Sequence, residues 1–579
     1  MTRPPRSEVD VKVLGINCVY HESSAALVID GDVVAAAEEE RFNRVKHGKP
    51  ALVSSADVLP ERAMAFCLER AGIAPEELDL VAIAFEPGLR RDTFRLDPLS
   101  VPGDWGSAEG EAEFRAGLAR IPERLSELLG VDCEAVIRWV PHHLAHAASA
   151  YYPCGEEGAA VLVVDGIGES ATALLGGGRG VLIESHGELG YPQSVGFVWE
   201  KLSAYLGFSP YDASKVMGLA SYGNPHTCTA ALAEIVGDGP EPAVRSEAFE
   251  FRLPHFDALE KRFGPRRLPT EPLLERHLDL AAALQSWNNR TILGLAERTY
   301  ALHPARTLCF SGGVALNCTT NWLLKEEGPF PRVYIPSAPH DGGTAIGAAL
   351  AASYAAASYV TETVFPKPAT TGCEYTGPEF TGEQIRAAFA QAGIIARRCP
   401  DIAREVARRI AGGEVVGWFQ GRMELGPRAL GNRSLVADPR DPGMRDMLNE
   451  KVKHREAFRP FAPSVLAERA GDWFDLGRDS DSYRYMLFTC PVRPGLAARI
   501  PAVVHVDGTS RVQTVSKEVN PRYHRLISEF ESLTGVPMVL NTSFNDSEPI
   551  VCTPADALAT FRTTRIDAVA VGDYLATRS

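Results

Sequence analysis

Two histidines four positions apart, His142 and His146, stand in the run His142-His143-Leu144-Ala145-His146. On a helix, residues i and i+4 share a face, so both imidazoles point the same way. Two ring nitrogens so placed can reach one metal ion at about 2.0–2.1 Å. Core or surface histidines with no metal have the same spacing, so the pair alone leaves both readings open. Two aspartates favour the metal. Asp165 closes an apolar run and precedes Gly166-Ile167-Gly168, and Asp341 opens Asp341-Gly342-Gly343. A strand-end carboxylate followed by glycines projects into a cleft. His142, His146, Asp165 and Asp341 form a mixed nitrogen–oxygen set that suits iron(II), manganese or zinc.

The glycines suggest a nucleotide. Gly166 and Gly168 follow one apolar strand, and Gly312 and Gly313 follow another in a run that ends at Asn317. Glycine lets backbone N–H groups approach phosphate oxygens. Gly218 is read as part of the cleft floor, with plain helix–loop packing as the alternative. His21 lies in the first turn, with Lys46-His47 further on. His21 suits a general base, or a structural hydrogen bond.

A third group is basic. Arg422, Arg428, Arg433, Lys451, Lys453, Arg455 and Arg459 cluster in a chain whose formal net charge is -15. Gly-Pro and Gly-Asn pairs interrupt them, unlike a solvated helical face. Forked guanidinium groups beside turns suit bidentate binding of phosphate or carboxylate. Arg511, Asn541 and Ser543 follow apolar strands later in the chain and join the same expected pocket.

A chain of 579 residues is too long for one core, so two domains are expected. With 45% hydrophobic and 23% charged residues it is a globular composition. The acidic balance argues against a nucleic-acid partner held by phosphate contacts. No apolar stretch of membrane-spanning length exists, the N-terminus lacks a secretory h-region, and the eleven cysteines are scattered. A cytoplasmic enzyme with no membrane partner is expected.

Residues 11–17, 24–30 and 33–37 read as strands, with Asp30-Gly31 as a hairpin turn. A similar unit recurs from 160, where Glu169-Ser170-Ala171-Thr172-Ala173-Leu174 echoes Glu22-Ser23-Ser24-Ala25-Ala26-Leu27. There Gly176-Gly177-Gly178 reads as a turn before a strand over 180–184. Such a duplication with a cleft between its halves is the architecture of actin, sugar kinases and heat-shock chaperones. Residues 278–298 and 345–354 read as helices, and the pattern loosens over 355–380. The expected division is an actin-like α/β domain over 1–360 and a second α/β domain over 375–579.

The segments His21 to Leu27, Glu38-Glu39-Glu40-Arg41-Phe42, Lys46-His47, the histidine pair, 311–317 and 426–434 resemble the O-carbamoyltransferases of the NodU/CmcH type. Members act in antibiotic and nodulation-factor pathways, and the resemblance spans nearly the whole chain. It implies an N-terminal half similar to the tRNA threonylcarbamoyladenosine transferase, of actin (ASKHA) type, and a C-terminal YrdC-like domain with a KxR…SxN pattern. Lys453-His454-Arg455 and Ser543-Phe544-Asn545 match that pattern. Two reactions are implied. Carbamoyl phosphate and ATP give carbamoyl-adenylate in the C-terminal domain, where Arg428, Lys453, Arg455, Arg459, Arg511, Asn541 and Ser543 bind them. The N-terminal domain then transfers the carbamoyl group to a hydroxyl of a small natural-product acceptor. There His21 takes the proton, Lys46 assists, and the four-residue set holds iron(II) or another divalent metal, with magnesium as a companion of ATP. Gly166, Gly168, Gly218, Gly312, Gly313 and Asn317 are the implied nucleotide contacts. The segment 85–130, with Trp105 and Phe114, is read as part of the acceptor pocket. His21-Glu22-Ser23 departs from the commoner His-Asp-Ala, and Asp546-Ser547-Glu548-Pro549 from Gly-Glu-Pro. A tRNA-modifying enzyme on the same two folds is the alternative, and the acidic charge weighs against it. A sugar-kinase-like phosphotransferase would leave the basic pocket unexplained. The oligomeric state is open.

Overall fold

A computed structural model describes residues 11–90, 100–360 and 373–578. Five strands form the first sheet: β1 (Lys12–Asn17), β2 (Ser24–Ile29), β3 (Asp32–Glu38), β4 (Leu80–Ile83) and β5 (Ile137–Trp139). Their order is β3-β2-β1-β4-β5, with β1 antiparallel to β2 and parallel to β4. Val13, Leu14 and Ile16 are all fully buried, because β1 is central and covered on both faces. Asp30 and Gly31 both have positive φ, 52° and 79°, as a two-residue hairpin turn requires.

The second sheet repeats this plan. It contains β6 (Gly158–Val164), β7 (Ala171–Arg179), β8 (Leu182–Gly190), β9 (Thr307–Ser311) and β10 (Arg332–Tyr334), ordered β8-β7-β6-β9-β10. Here too the first strand is antiparallel to the second and parallel to the fourth. Each strand of the first sheet thus has a counterpart five strands later, which is the expected duplication.

One element differs from expectation. Gly176, Gly177 and Gly178 lie inside β7, and the next strand begins at Leu182. A Cβ on Gly177 would sit 2.3 Å from the His303 ring, and one on Gly178 2.4 Å from the Tyr151 ring. Glycine is needed there for close approach of distant rings, not for a turn.

Two alanine-rich helices, His142–Tyr151 and Thr344–Val360, share a core with residues of both sheets. A Cβ on Gly347 would meet the Ala145 carbonyl oxygen at 1.7 Å, so the helices touch backbone to backbone. This contact fixes where the first turn of the histidine-bearing helix lies.

The C-terminal half is built on an eight-stranded mixed sheet whose centre is Val416–Phe419, Arg433–Ala437 and Met538–Ser543. The helices Ile402–Ala411 and Pro521–Thr534 pack together, as do Gly382–Ala392 and Pro554–Thr563. Of the boundary expected over 355–380, residues 361–372 lie outside the described residues. Direct bonds join the halves: Arg41 donates to the Gly426 carbonyl, Arg44 to those of Pro549 and Ile550, and Lys215 pairs with Glu456 at 3.3 Å. Among the described residues no helix is long and apolar enough to cross a membrane.

Candidate active site

His142, His146, Asp165 and Asp341 converge as the spacing predicts, all four buried, with one donor atom each within 4.8 Å of the others. His142 Nε2 lies 3.3 Å from Asp165 and 3.6 Å from Asp341, and His146 Nε2 lies 3.4 and 3.3 Å from the same carboxylates. Four ligands about 2.0–2.2 Å from a tetrahedral centre are separated by about 3.3–3.6 Å, so the donor set matches a small divalent ion. His146 Nε2 is buried and makes no hydrogen bond. His142 Nδ1 lies 3.2 Å from the Ala84 carbonyl, so on binding a metal the ring would keep its proton on Nδ1 and offer Nε2 as the ligand. Burial opposes charge on His142, yet Asp341 and Asp165 raise its pKa well above the ordinary value. Two buried carboxylates side by side call for positive charge between them.

Second contacts hold these groups. The Gly313 N–H donates to Asp165 Oδ1 at 3.1 Å. Glu169 accepts from the His142 N–H at 2.8 Å, capping the helix with a carboxylate where the helix dipole favours one.

The glycines serve this arrangement more than a phosphate. The N–H groups of Gly168, Gly312 and Gly313 are already given to Ala171, Pro339 and Asp165, so the expected cradle of free amides is not formed by these three. Gly166 lines the cavity above the donor set. Asn317 accepts from the Thr320 N–H as a helix N-cap while lining the same cavity. Gly312 has φ +93°, and a Cβ there would lie 2.2 Å from the Val164 carbonyl oxygen. Gly312→Ala is expected to cost about 2–4 kcal/mol of stability by strain and clash. Urea unfolding with an unchanged midpoint would contradict this.

Gly218 is a correction. It lies on the helix Ala213–Ala220, where a Cβ would rest 3.8 Å from Pro460. It packs against the C-terminal half and lines a small cavity with Cys318, His505 and Arg511, away from the donor set.

His21 lines both cavities that open onto Asp165 and Asp341, and its Nδ1 is buried and unpartnered. Lys46 does not join it. Its side chain is exposed, and the neighbouring His47 takes the inward position. The His47 ring centroid is 6.2 Å from that of His21 and 4.8 Å from that of Tyr211, and Nδ1 is 2.5 Å from Glu22. Glu22 has φ 52° and also lies 3.9 Å from His340, which meets Glu38 at 3.4 Å.

Burial opposes charge on His47, but the Glu22 hydrogen bond and the charges of Glu22 and Glu40 together outweigh it and raise the pKa above 6.5. Glu22 is held below its ordinary 4.5 against burial by the His47 bond and nearby histidines. A raised histidine loses its stabilisation as pH climbs through its folded pKa, and a lowered carboxylate loses its own as pH falls through 4.5 and below. Glu22→Gln is therefore expected to cost about 1 kcal/mol between those limits, after discounting for the half-open histidine, and less on either side. Urea midpoints of both proteins across pH measure this, and a pH-independent difference would contradict it.

In the C-terminal half, Arg428, Arg455, Arg459 and Arg511 form one half-buried basic cluster. Burial, then the neighbouring guanidinium of Arg511, depresses Arg428 to about 9, and burial with Arg459 and Arg511 does the same to Arg455. All remain protonated at neutral pH. The Nε atoms of Arg428 and Arg511 are buried without a hydrogen-bond partner. Uncompensated buried cations with free N–H groups make an anion site. Lys453 Nζ is bound by the Ser543 carbonyl at 2.6 Å, Ser543 Oγ at 3.2 Å, and the carbonyl and Oδ1 of Asn545 at 2.7 Å each. The Asn541 Oδ1 is buried without a hydrogen-bond partner as well, while its Nδ2 is engaged. Its amide donates to Ala429, Ser464 and Gln513 and braces the sheet. Arg422 and Arg433 likewise serve backbone carbonyls, and Lys451 is exposed.

A cavity of about 270 Å³ over the donor set is lined by His21, Glu22, His47, Tyr211 and, from the C-terminal half, Arg428. A neighbouring cavity of about 450 Å³ is lined by Tyr20, Trp105, Phe197, Glu200 and Arg252. Phe114 is fully buried behind Trp105 and does not line it, and 91–99 of the expected acceptor segment lie outside the described residues. Burial, then Asp165, pushes the Glu200 carboxyl up to about 8. Glu22, His47, Glu200, His340 and Tyr211 carry no local spacing signal that sets them apart.

The family profile described as carbamoyltransferase N-terminus matches residues 12–350, and the one described as carbamoyltransferase C-terminus matches 407–578. Uncharacterized protein sll1178 of Synechocystis is 36% identical over 610 residues, covering 97% of this chain and 96% of that protein. Nodulation protein NolNO of Sinorhizobium fredii is 36% identical over 572 residues, covering 96% of this chain and 79% of that protein. A solved structure, component A of (R)-2-hydroxyglutaryl-CoA dehydratase from Acidaminococcus fermentans, is 14% identical with a TM-score of 0.32, covering 60% of this chain and 99% of that one.

Proposed function

The chain belongs to the carbamoyltransferase family, and from that premise we propose that it is an ATP-dependent O-carbamoyltransferase acting on a hydroxylated natural product of antibiotic type. Water cleaves carbamoyl phosphate to carbamate and phosphate, and the carbamate oxygen then attacks the α-phosphorus of ATP, giving carbamoyl-adenylate with pyrophosphate as the leaving group. The carbamoyl group then passes to the acceptor hydroxyl, and AMP leaves. The N-terminal domain, taken as 1–360, carries out transfer, and a YrdC-like domain, taken as 375–579, forms the adenylate.

The observation that supports this best is the position of Arg428. It belongs to the basic cluster and also lines the cavity over the donor set, so one guanidinium serves both half-sites. Arg455, Arg459 and Arg511 bind the phosphates of carbamoyl phosphate and ATP, and Lys453 with Ser543 orders the adjoining strand end. His142, His146, Asp165 and Asp341 hold a divalent metal, iron(II) by resemblance. The metal supplies Lewis-acid stabilisation of charge on the activated carbamoyl group. His21 accepts the acceptor hydroxyl's proton, with the His47–Glu22 pair, not Lys46, beside it.

The test is incubation with ATP, carbamoyl phosphate and iron(II), followed by pyrophosphate and carbamoyl-adenylate measurement. Pyrophosphate release that needs carbamoyl phosphate is expected. ATP cleavage indifferent to carbamoyl phosphate, or none, would sink the proposal.

A further inference from the structure

The larger cavity, about 450 Å³, shares His21, Asp165 and Asp341 with the smaller one but does not reach Arg428. On the function proposed above, it is where the acceptor hydroxyl enters. Its volume is that of a site for a drug-sized molecule.

Two aromatic walls face it. Tyr20 and Trp105 form one, with ring centroids 5.7 Å apart. Phe197 and Phe251 form the other, 5.9 Å apart. Tyr211 stands at the rim, 44% exposed.

The charges on the lining are mostly engaged. Arg90 donates to Glu111 at 2.8 Å and to the Glu169 carbonyl at 3.0 Å. Lys201 donates to the carbonyls of Glu250, Leu253 and His255 at 2.8–2.9 Å. The Arg252 guanidinium lies over Tyr191 and Phe197, 5.0 and 5.6 Å from the ring centroids. Asp165 and Asp341 belong to the donor set, and Asp104 accepts from the Trp105 N–H at 2.7 Å. Outside the donor set, Asp104 and Glu200 are the carboxyl groups among the described lining residues.

We infer that this cavity selects a neutral, ring-containing hydroxylated acceptor, held between Tyr20–Trp105 and Phe197–Phe251, and discriminates against polyammonium acceptors. Ring faces bury apolar skeletons well and add directional stacking. A polyammonium compound would lose water from several charges beside three fixed cations, Arg90, Lys201 and Arg252, with only the two carboxyl groups of Asp104 and Glu200 to offset them.

The test is titration calorimetry of the full chain with two probes, the neutral macrolactone erythronolide B and the polyammonium kanamycin A. Erythronolide B is expected to bind saturably, with kanamycin A at least about tenfold weaker. Trp105→Ala and Phe251→Ala should each weaken erythronolide B at least about tenfold. If a wall variant fails to fold by circular dichroism, Tyr211→Ala at the exposed rim replaces it with the same expected direction. Tighter binding of kanamycin A, no saturable binding of erythronolide B, or an affinity unmoved by these substitutions would overturn the inference. Pyrophosphate release by the unaltered protein needs no acceptor, so it judges the proposed function separately.

Discussion

His146→Ala should remove carbamoyl transfer while leaving carbamoyl-phosphate-dependent pyrophosphate release in place. His146 Nε2 is buried, 3.3–3.4 Å from both carboxylates, and has no hydrogen bond of its own. Its removal takes one of four donors from a set matched to a small divalent ion. Lewis-acid stabilisation is worth several kcal/mol, and each 1.36 kcal/mol is tenfold in rate, so transfer from supplied carbamoyl-adenylate should fall about 10³-fold or more. Metal content by mass spectrometry should fall with it. The basic cluster lies in the other half of the chain, so the first reaction has no reason to fail. A folded variant with full transfer, or with unchanged metal content, would remove His146 from the site.

The donor set was legible because its geometry is local. Helical periodicity puts positions 142 and 146 on one face, and each aspartate is marked by the glycines after it. The duplication was legible for a similar reason. Glu22 and Glu169 occupy corresponding turns, and their echoing segments enter β2 and β7. Their partners, however, diverge. Glu22 holds His47, while Glu169 caps the helix that bears His142. Nothing in either hexapeptide states this.

The misreadings share one physical origin. Gly176, Gly177 and Gly178 looked like a turn because glycine is a local turn signal, yet their need for glycine comes from His303, Tyr151 and β8 across the sheet. Lys46 and His47 are adjacent, and only the path of the chain decides which faces inward. Asn541 carries an amide nitrogen and an oxygen, and Ser464 and Gln513 on nearby strands take the nitrogen, leaving the oxygen unpartnered. Arg433 was one of a basic run and proves to be fully buried among backbone carbonyls. Residue type fixes what a side chain can do, and long-range packing chooses which of several candidates does it.

Lys453→Ala tests the complementary half. The ammonium is buried and gathers four oxygens of Ser543 and Asn545 at the end of a central strand. Burial, with Arg455 and Arg459 nearby, holds its pKa well below the ordinary lysine value. A bound phosphate would reverse that pressure, which is how such a site gains affinity for an anion. Removing the ammonium should abolish adenylate formation, about 10³-fold or more in pyrophosphate release, because the charge and the ordered strand end are lost together. Stability should change less. Unpairing the Ser543 and Asn545 oxygens costs about 1–3 kcal/mol, while removing a buried charge offsets part of it. Transfer from supplied carbamoyl-adenylate should stay largely intact, since the donor set and His21 lie in the other half. Lys453→Met, which keeps the apolar stem, should give the same split. If both half-reactions fail equally in folded variants, the two sites do not divide the chemistry, and Arg428 would then mark a single shared active site rather than a junction between two.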